Sequence, residues 1–185
     1  MGARSTEELT SHLPVLRQAP AERGTVALVV RRPEIDRREI LSSGLLDPEK
    51  GLVGDNWLER ATSRAVAAGR HLEAQLNVMS ARMIEFLADT DEQRALAGDQ
   101  LYLDLDISVA NLPTGARLAI GETAVIEVTA KPHNGCAKFT ERFGRDAMMF
   151  VNSPVGKELR LRGFNARVIA AGDVHLGDPV RKLRP

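Results

Sequence analysis

Thr25 to Arg31 (TVALVVR) is the first sustained run of apolar, β-branched positions in the chain, and its length and polar borders predict a buried strand. Ahead of it, residues 1–24 are mostly polar and include Pro14 and Pro20. They are expected to form an N-terminal extension, loose around His12. Between Pro33 and Trp57 charges are mixed with Gly44, Pro48, Gly51 and Gly54, a pattern of strand pieces joined by turns. Its last part, GLVGDNW, has two glycines open to unusual backbone conformations, and Asp55 and Asn56 able to bond nearby backbone. This loop is expected to face something. Residues 58–73 are alanine-rich but interrupted by Gly69, so any helix there is short and the segment reads as a mobile connection.

Gln75 to Met79 fits a strand, and Ser80 can cap a helix over Ala81 to Ala88 whose buried stripe is Met83, Ile84 and Leu87. Leu101 to Leu105 alternates in strand fashion, and NLPTG at 111–115 is a turn. Arg117 to Ile120 and Ala124 to Thr129 flank Gly121-Glu122 as a hairpin. Phe139, Phe143, Ala147, Phe150 and Val151 recur near helical spacing, which predicts one amphipathic helix from Ala137 to Phe150 with Gly144 as its weak position. NSP at 152–154 starts a second short helix to about Leu161. Asn165 to Ala170 is a strand, and AGDVHLGDPV leads through two turns into the last one. Many short strands without strand-helix alternation predict a mixed α+β, β-rich, barrel-like fold with peripheral helices over residues 25–185.

At 185 residues and 43% hydrophobic, the chain can bury one substantial core. No run of about 20 apolar residues could span a bilayer, no basic amphipathic helix suggests membrane attachment, and the first residues lack the apolar core of a secretory signal. A cytoplasmic protein with no membrane partner is expected, and a single cysteine agrees with a reducing compartment. Balanced charge, 25 basic against 25 acidic residues, with 4% aromatics argues against a dedicated nucleic-acid binder. The distribution is uneven. From Lys131 onward eleven Lys and Arg face five Asp and Glu. That basic third suits either a solvated surface or a site for a small anion.

The basic third opens at HNGCAKF, residues 133–139, which holds the only cysteine. A thiol at the start of a helix lies beside unsatisfied backbone N–H groups that favour the thiolate, and Lys138, Arg142 and Arg145 add positive charge. Gly135 would let backbone approach a ligand closely. The alternative is that Cys136 is a small buried hydrophobe. Zinc is poorly served, since the four histidines are scattered at 12, 71, 133 and 175. A cysteine hydrolase would need His133 or His175 beside the sulfur and a third group to orient it. Asp55 and Asp99 both follow glycines and read as turn formers.

GLVGDNW, GDQLYLDLD, NLPTGARLAIGETAVIEVT and GCAKFTERFGRDAMMFVNSPVGKELRLRGFNARVIAAGDVHLGD, in this order, resemble the MOSC family, named for the C-terminal domain of molybdenum-cofactor sulfurases. The resemblance runs from about Thr25 to Val180. It implies a β-strand-rich barrel, and it implies that Cys136 carries sulfur or contacts the metal of a molybdenum cofactor. Lys138, Arg142 and Arg167, with Arg160 and Arg162, would bind the cofactor's anionic groups, and Asn77 and Asn111 would either orient its pterin or serve in turn and cap bonding at strand and turn ends. If residues 160–162 are extended, Arg160 and Arg162 point to opposite sides. Nothing in the chain resembles the pyridoxal-phosphate-dependent desulfurase domain of fused members, or an iron-sulfur motif. Three functions remain open. The chain is a molybdenum-dependent enzyme, acting on N-oxygenated compounds with a redox partner. It is a non-catalytic carrier that takes sulfur or cofactor from a donor to a partner protein. Or its cysteine is structural.

Overall fold

The computed structural model describes residues 3–184, so that Met1, Gly2 and Pro185, at the two ends of the expected extension and domain, lie outside the described residues. The apolar run at Thr25 belongs to β1, Arg23–Arg31, and it is apolar throughout because both its faces are covered. Val26 and Val29 belong to one core cluster, and Leu28 and Val30 to another under the helices. A register shift between Val26 and Leu28, against β6 (Leu101–Asp104), accounts for the switch of sides.

β1 also pairs with β2 (Glu39–Leu41) and with β11 (Pro179–Leu183). The remaining barrel strands are β5 (Leu76–Ser80), β7 (Arg117–Ile120), β8 (Ala124–Val128) and β9 (Phe164–Ala170). The order β1-β6-β5-β9-β8-β7-β11 returns to β1 and closes a seven-stranded barrel. Its neighbours are antiparallel except β5 and β6, which run parallel. β3 (Ser43–Asp47), β4 (Gly51–Leu52) and β10 (Gly172–His175) form a separate three-stranded sheet. The fold is mixed α+β and barrel-like, as the many short strands imply.

Helices cover one side of the barrel. The segment expected to be loose forms α1 (Thr6–Ser11) and α2 (Leu13–Leu16). Ser5 and Glu8 make a capping box, Leu9 is fully buried, and the His12 ring stacks on Phe86 at 3.8 Å. Local polarity concealed this because one leucine per helix is enough to dock so short an element. α3 (Ser63–Ala67) and a 3-10 turn (Arg70–Ala74) occupy the alanine-rich segment. α4 (Ala81–Leu87) has the expected Ser80 cap and buried stripe, and α5 (Asp91–Ala95) follows it. None of the helices of the described residues is long and apolar enough to cross a membrane.

The single helix expected after the cysteine is two, α6 (Ala137–Phe143) and α7 (Arg145–Asn152). Gly144 breaks it with φ 91° and ψ 164°, a conformation essentially reserved for glycine, and the apolar spacing survives because both helices face the same cluster. Gly144→Ala is expected to cost about 1–3 kcal/mol, read as a lower urea midpoint, because its Cβ would also lie 2.7 Å from Ala3 Cβ. After α8 (Pro154–Glu158), Arg160 (φ 48°) and Gly163 (φ 101°) make a turn. The extended alternation of Arg160 and Arg162 is therefore absent.

Candidate functional site

The loop from Lys131 to Cys136 is tied down at three points, on β9, on the segment before β6 and on α7. Asn165, on β9, donates from Nδ2 to the carbonyls of Lys131 (3.0 Å) and Pro132 (3.1 Å). His133 Nε2 meets Asp99 Oδ1 at 2.7 Å. Asn152, the last residue of α7, accepts from the Gly135 N–H (2.9 Å) and donates to the Gly135 carbonyl (3.0 Å). Gly135 thus faces α7 rather than a ligand, and a Cβ there would stand 3.0 Å from Val151 Cγ2. Cys136 follows in extended backbone as the N-cap of α6, exposed and without a side-chain cap bond.

Cys136 opens on a cleft of about 630 Å³ whose wall holds Arg32, Arg38, Arg60, Arg70, Arg142 and Arg162, together with Lys131 and Lys138. Among the described residues no Asp or Glu lines it. Two of these cations have carboxylates beneath them. Arg32 grips Asp55 with Nε (2.9 Å) and Nη2 (2.8 Å), and Arg162 Nη1 meets Asp99 Oδ2 at 2.6 Å. The side chains of both aspartates are wholly buried. Asp55 and Asp99 are therefore the counter-ions of the cleft floor rather than simple turn formers. Lys138 and Arg142 share the exposed Asp36, whose carboxyl is held below its usual range chiefly by the hydrogen bond from Lys138. Arg38, Arg60, Arg70 and Lys131 have no carboxylate at ion-pair distance among the described residues.

Burial and like charge act together on two of these arginines. Burial, then the charges of Arg142 and Arg32, push Arg38 below its ordinary value; burial, then Arg32, does the same to Arg60. Three buried nitrogens of the wall, Arg38 Nε, Arg162 Nε and His71 Nδ1, have no hydrogen-bond partner among the described residues. For Asp99, burial pushes the carboxyl up, but the charge of Arg162 and the hydrogen bonds from His133 and Arg162 outweigh it and hold it low. Burial, then Arg162, keeps His133 below the usual imidazole range. A neutral imidazole facing an ionised carboxylate must carry its proton on Nε2 and donate it to Asp99.

Of the residues singled out in the sequence, Cys136, Lys138, Arg142, Arg162, Asn77 and His133 share this cleft. Asn77 works as a relay. Its Oδ1 accepts from Arg32 (3.0 Å) and its Nδ2 donates to Asn165 (2.6 Å), the residue that holds the cysteine loop. Asn111 lies elsewhere, donating to Ala21 and Asp106 carbonyls and accepting from Lys182. Arg167 also lies outside, paired with Glu127. Strand alternation explains it, since Ala166 and Val168 face the core and Arg167 must face out. Arg160 donates to the Leu112 carbonyl and stacks over Phe164. His175 pairs with Asp178, away from the sulfur. Among the described residues no cluster of three or more His, Cys, Asp or Glu could hold a metal ion. Asp99 and Asn152 carry no local signature, since their partners His133, Arg162 and Gly135 are distant in sequence, and Arg38, Arg60 and Arg70 are marked only by their place in the cleft wall.

A model of the MOSC domain matches residues 70–181. No curated protein matches the chain significantly. Among solved structures, a hypothetical protein superposes with TM-score 0.57 at 22% identity, over 92% of this chain and 71% of the other. YuaD from Bacillus subtilis gives 0.58 at 14% identity, over 88% and 97%. YiiM from Escherichia coli gives 0.53 at 21% identity, over 87% and 70%. At such identities the likeness is one of fold.

Proposed function

The chain belongs to the MOSC domain family, and on that footing we propose that its cleft binds the molybdenum cofactor by its phosphate and pterin, with Cys136 as the thiol that meets the metal. One observation carries this reading. The only cysteine opens on a cleft walled by eight cations and no carboxylate. The residues fit the group, for a cofactor phosphate offers acceptors to orphaned donors such as Arg38 Nε and Arg162 Nε. The volume also suits a ligand of that size.

Arg38, Arg60, Arg70 and Lys131 would hold the anionic end by charge-assisted hydrogen bonds, and Asn77 and Asn165 keep the cysteine loop in place beside it. Cys136 Sγ must lose its proton before it can ligate a metal or attack sulfur. The bound cofactor would supply the redox-active molybdenum centre. Reduction of N-oxygenated compounds is the activity we assign to that centre, with electrons from a separate redox protein.

The protein should carry stoichiometric molybdenum, measured by plasma mass spectrometry, when produced in cells that make the cofactor, and Arg60→Glu with Arg70→Glu should abolish it. Absence of both molybdenum and pterin from the wild-type protein would sink the reading. The exposure of Cys136 favours a second one, a sulfur carrier. In it the thiolate attacks a donor's sulfane sulfur, an S–S bond forms, and the donor leaves as a thiolate. A mass increase of one sulfur atom on Cys136, without molybdenum, would select that alternative.

A further inference from the structure

Asp36 is the carboxylate at the mouth of the Cys136 cleft that is free to leave. It stands in the turn between β1 and β2 with φ 63°, a left-handed conformation that Asp and Asn tolerate better than other side chains. Its Oδ1 accepts from Lys138 Nζ at 2.6 Å and lies 3.5 Å from Arg142 Nη2, and both cations line the cleft. The other two carboxylates of the region, Asp55 and Asp99, are buried beneath Arg32 and Arg162 and cannot separate without leaving a buried charge unpaired. Asp36 is unlike them. Its side chain is 60% exposed and that of Lys138 is 57% exposed, so their pair is weak, screened by salt and readily broken. The flanking Glu34, Ile35 and Arg37 are exposed as well, and Glu34 and Arg37 reach only other surface charges.

We propose that Asp36 is a charge gate, an internal carboxylate that occupies Lys138 and Arg142 until a ligand with two or more negative charges displaces it. A monoanion that takes its place exchanges one negative charge for another and gains nothing. A phosphate dianion adds net charge to a mouth that still has Arg38 uncompensated beside it. Asp36 thereby sets the minimum charge of the ligand and turns away the monoanions abundant in any cell. This rests on the reading that the cleft receives an anion.

Cys136, the sole cysteine, reports on the gate directly. Its alkylation rates with iodoacetate, a monoanion, and iodoacetamide, which is neutral, give a ratio that senses local charge. The same ratio in the urea-unfolded chain is the reference. Asp36→Asn, which keeps a residue suited to the left-handed turn, should raise the ratio about two- to fivefold at low salt, the scale of one unit charge within a Debye length. Added salt should erase the difference. Sulfate should protect Cys136 from iodoacetamide in both proteins, and formate at the same concentration only in the variant. An unchanged ratio in Asp36→Asn, beside a folded wild-type ratio above the unfolded reference, would overturn the gate and leave the anion-binding cleft standing. A folded ratio equal to the unfolded one in both proteins would overturn both.

Discussion

Asp99→Ala should lower the stability of the protein by about 3–5 kcal/mol, the cost of leaving one partner of a buried ion pair behind. The Asp99 side chain is fully buried and is the carboxylate for Arg162 (2.6 Å) and the acceptor for His133 (2.7 Å). Arg162, 6% exposed, would keep the Ala97 carbonyl, the Met79 sulfur at 3.8 Å and its position over the Phe139 ring at 5.0 Å. None compensates a full charge. Urea unfolding checks the magnitude, and a change in the alkylation rate of Cys136 in the folded variant would show that removing the acceptor of His133 loosens its loop. Acid should attack the same pair. Both Asp99 and His133 take up protons more readily when unfolded, because both are held below their ordinary values in the fold. Their contribution is therefore complete above about pH 6.5, declines as pH falls through the imidazole range, and declines further through the carboxylate range.

Cys136→Ser should give the opposite combination, complete loss of thiol chemistry with a gain of about 0.5–1 kcal/mol in stability. Cys136 occupies the N-cap of α6 in extended backbone but makes no capping bond. Serine is among the best residues for that place, since its hydroxyl accepts from a free N–H of the first turn. Cys136→Ala, which cannot cap, should leave stability within about 0.5 kcal/mol. Molybdenum content and persulfide formation should vanish in both variants, and thermal unfolding should rank serine above cysteine. A serine variant less stable than wild type would mean that the sulfur packs as a structural group.

Local chemistry made part of this legible from the sequence. The Ser80 cap, the apolar β1 run and the hairpin around Gly121 depend on neighbours within a few residues, and they stand where their patterns place them. The cleft floor does not work that way. Asp55 and Asp99 have the local look of turn residues, following Gly54 and Gly98, yet each is defined by an arginine 23 or 63 positions away. Arg167 shows the converse error. Its charge and the family resemblance suggest a ligand, but the barrel's alternation turns it outward. Which cations face the cysteine is decided by how the barrel closes.

That closure has a consequence for how the protein is made. Arg23 pairs with Arg181 and Thr25 with Pro179, so the first strand of the barrel meets one of its partners only when the barrel's last strand has left the ribosome. A contact of such separation is slow to form, since a very long loop must close first. Through most of translation the start of β1 therefore presents bare N–H and C=O groups beside an apolar stretch, the kind of edge on which nascent chains cross-associate. The segment 23–31 is where a chaperone would have most to protect.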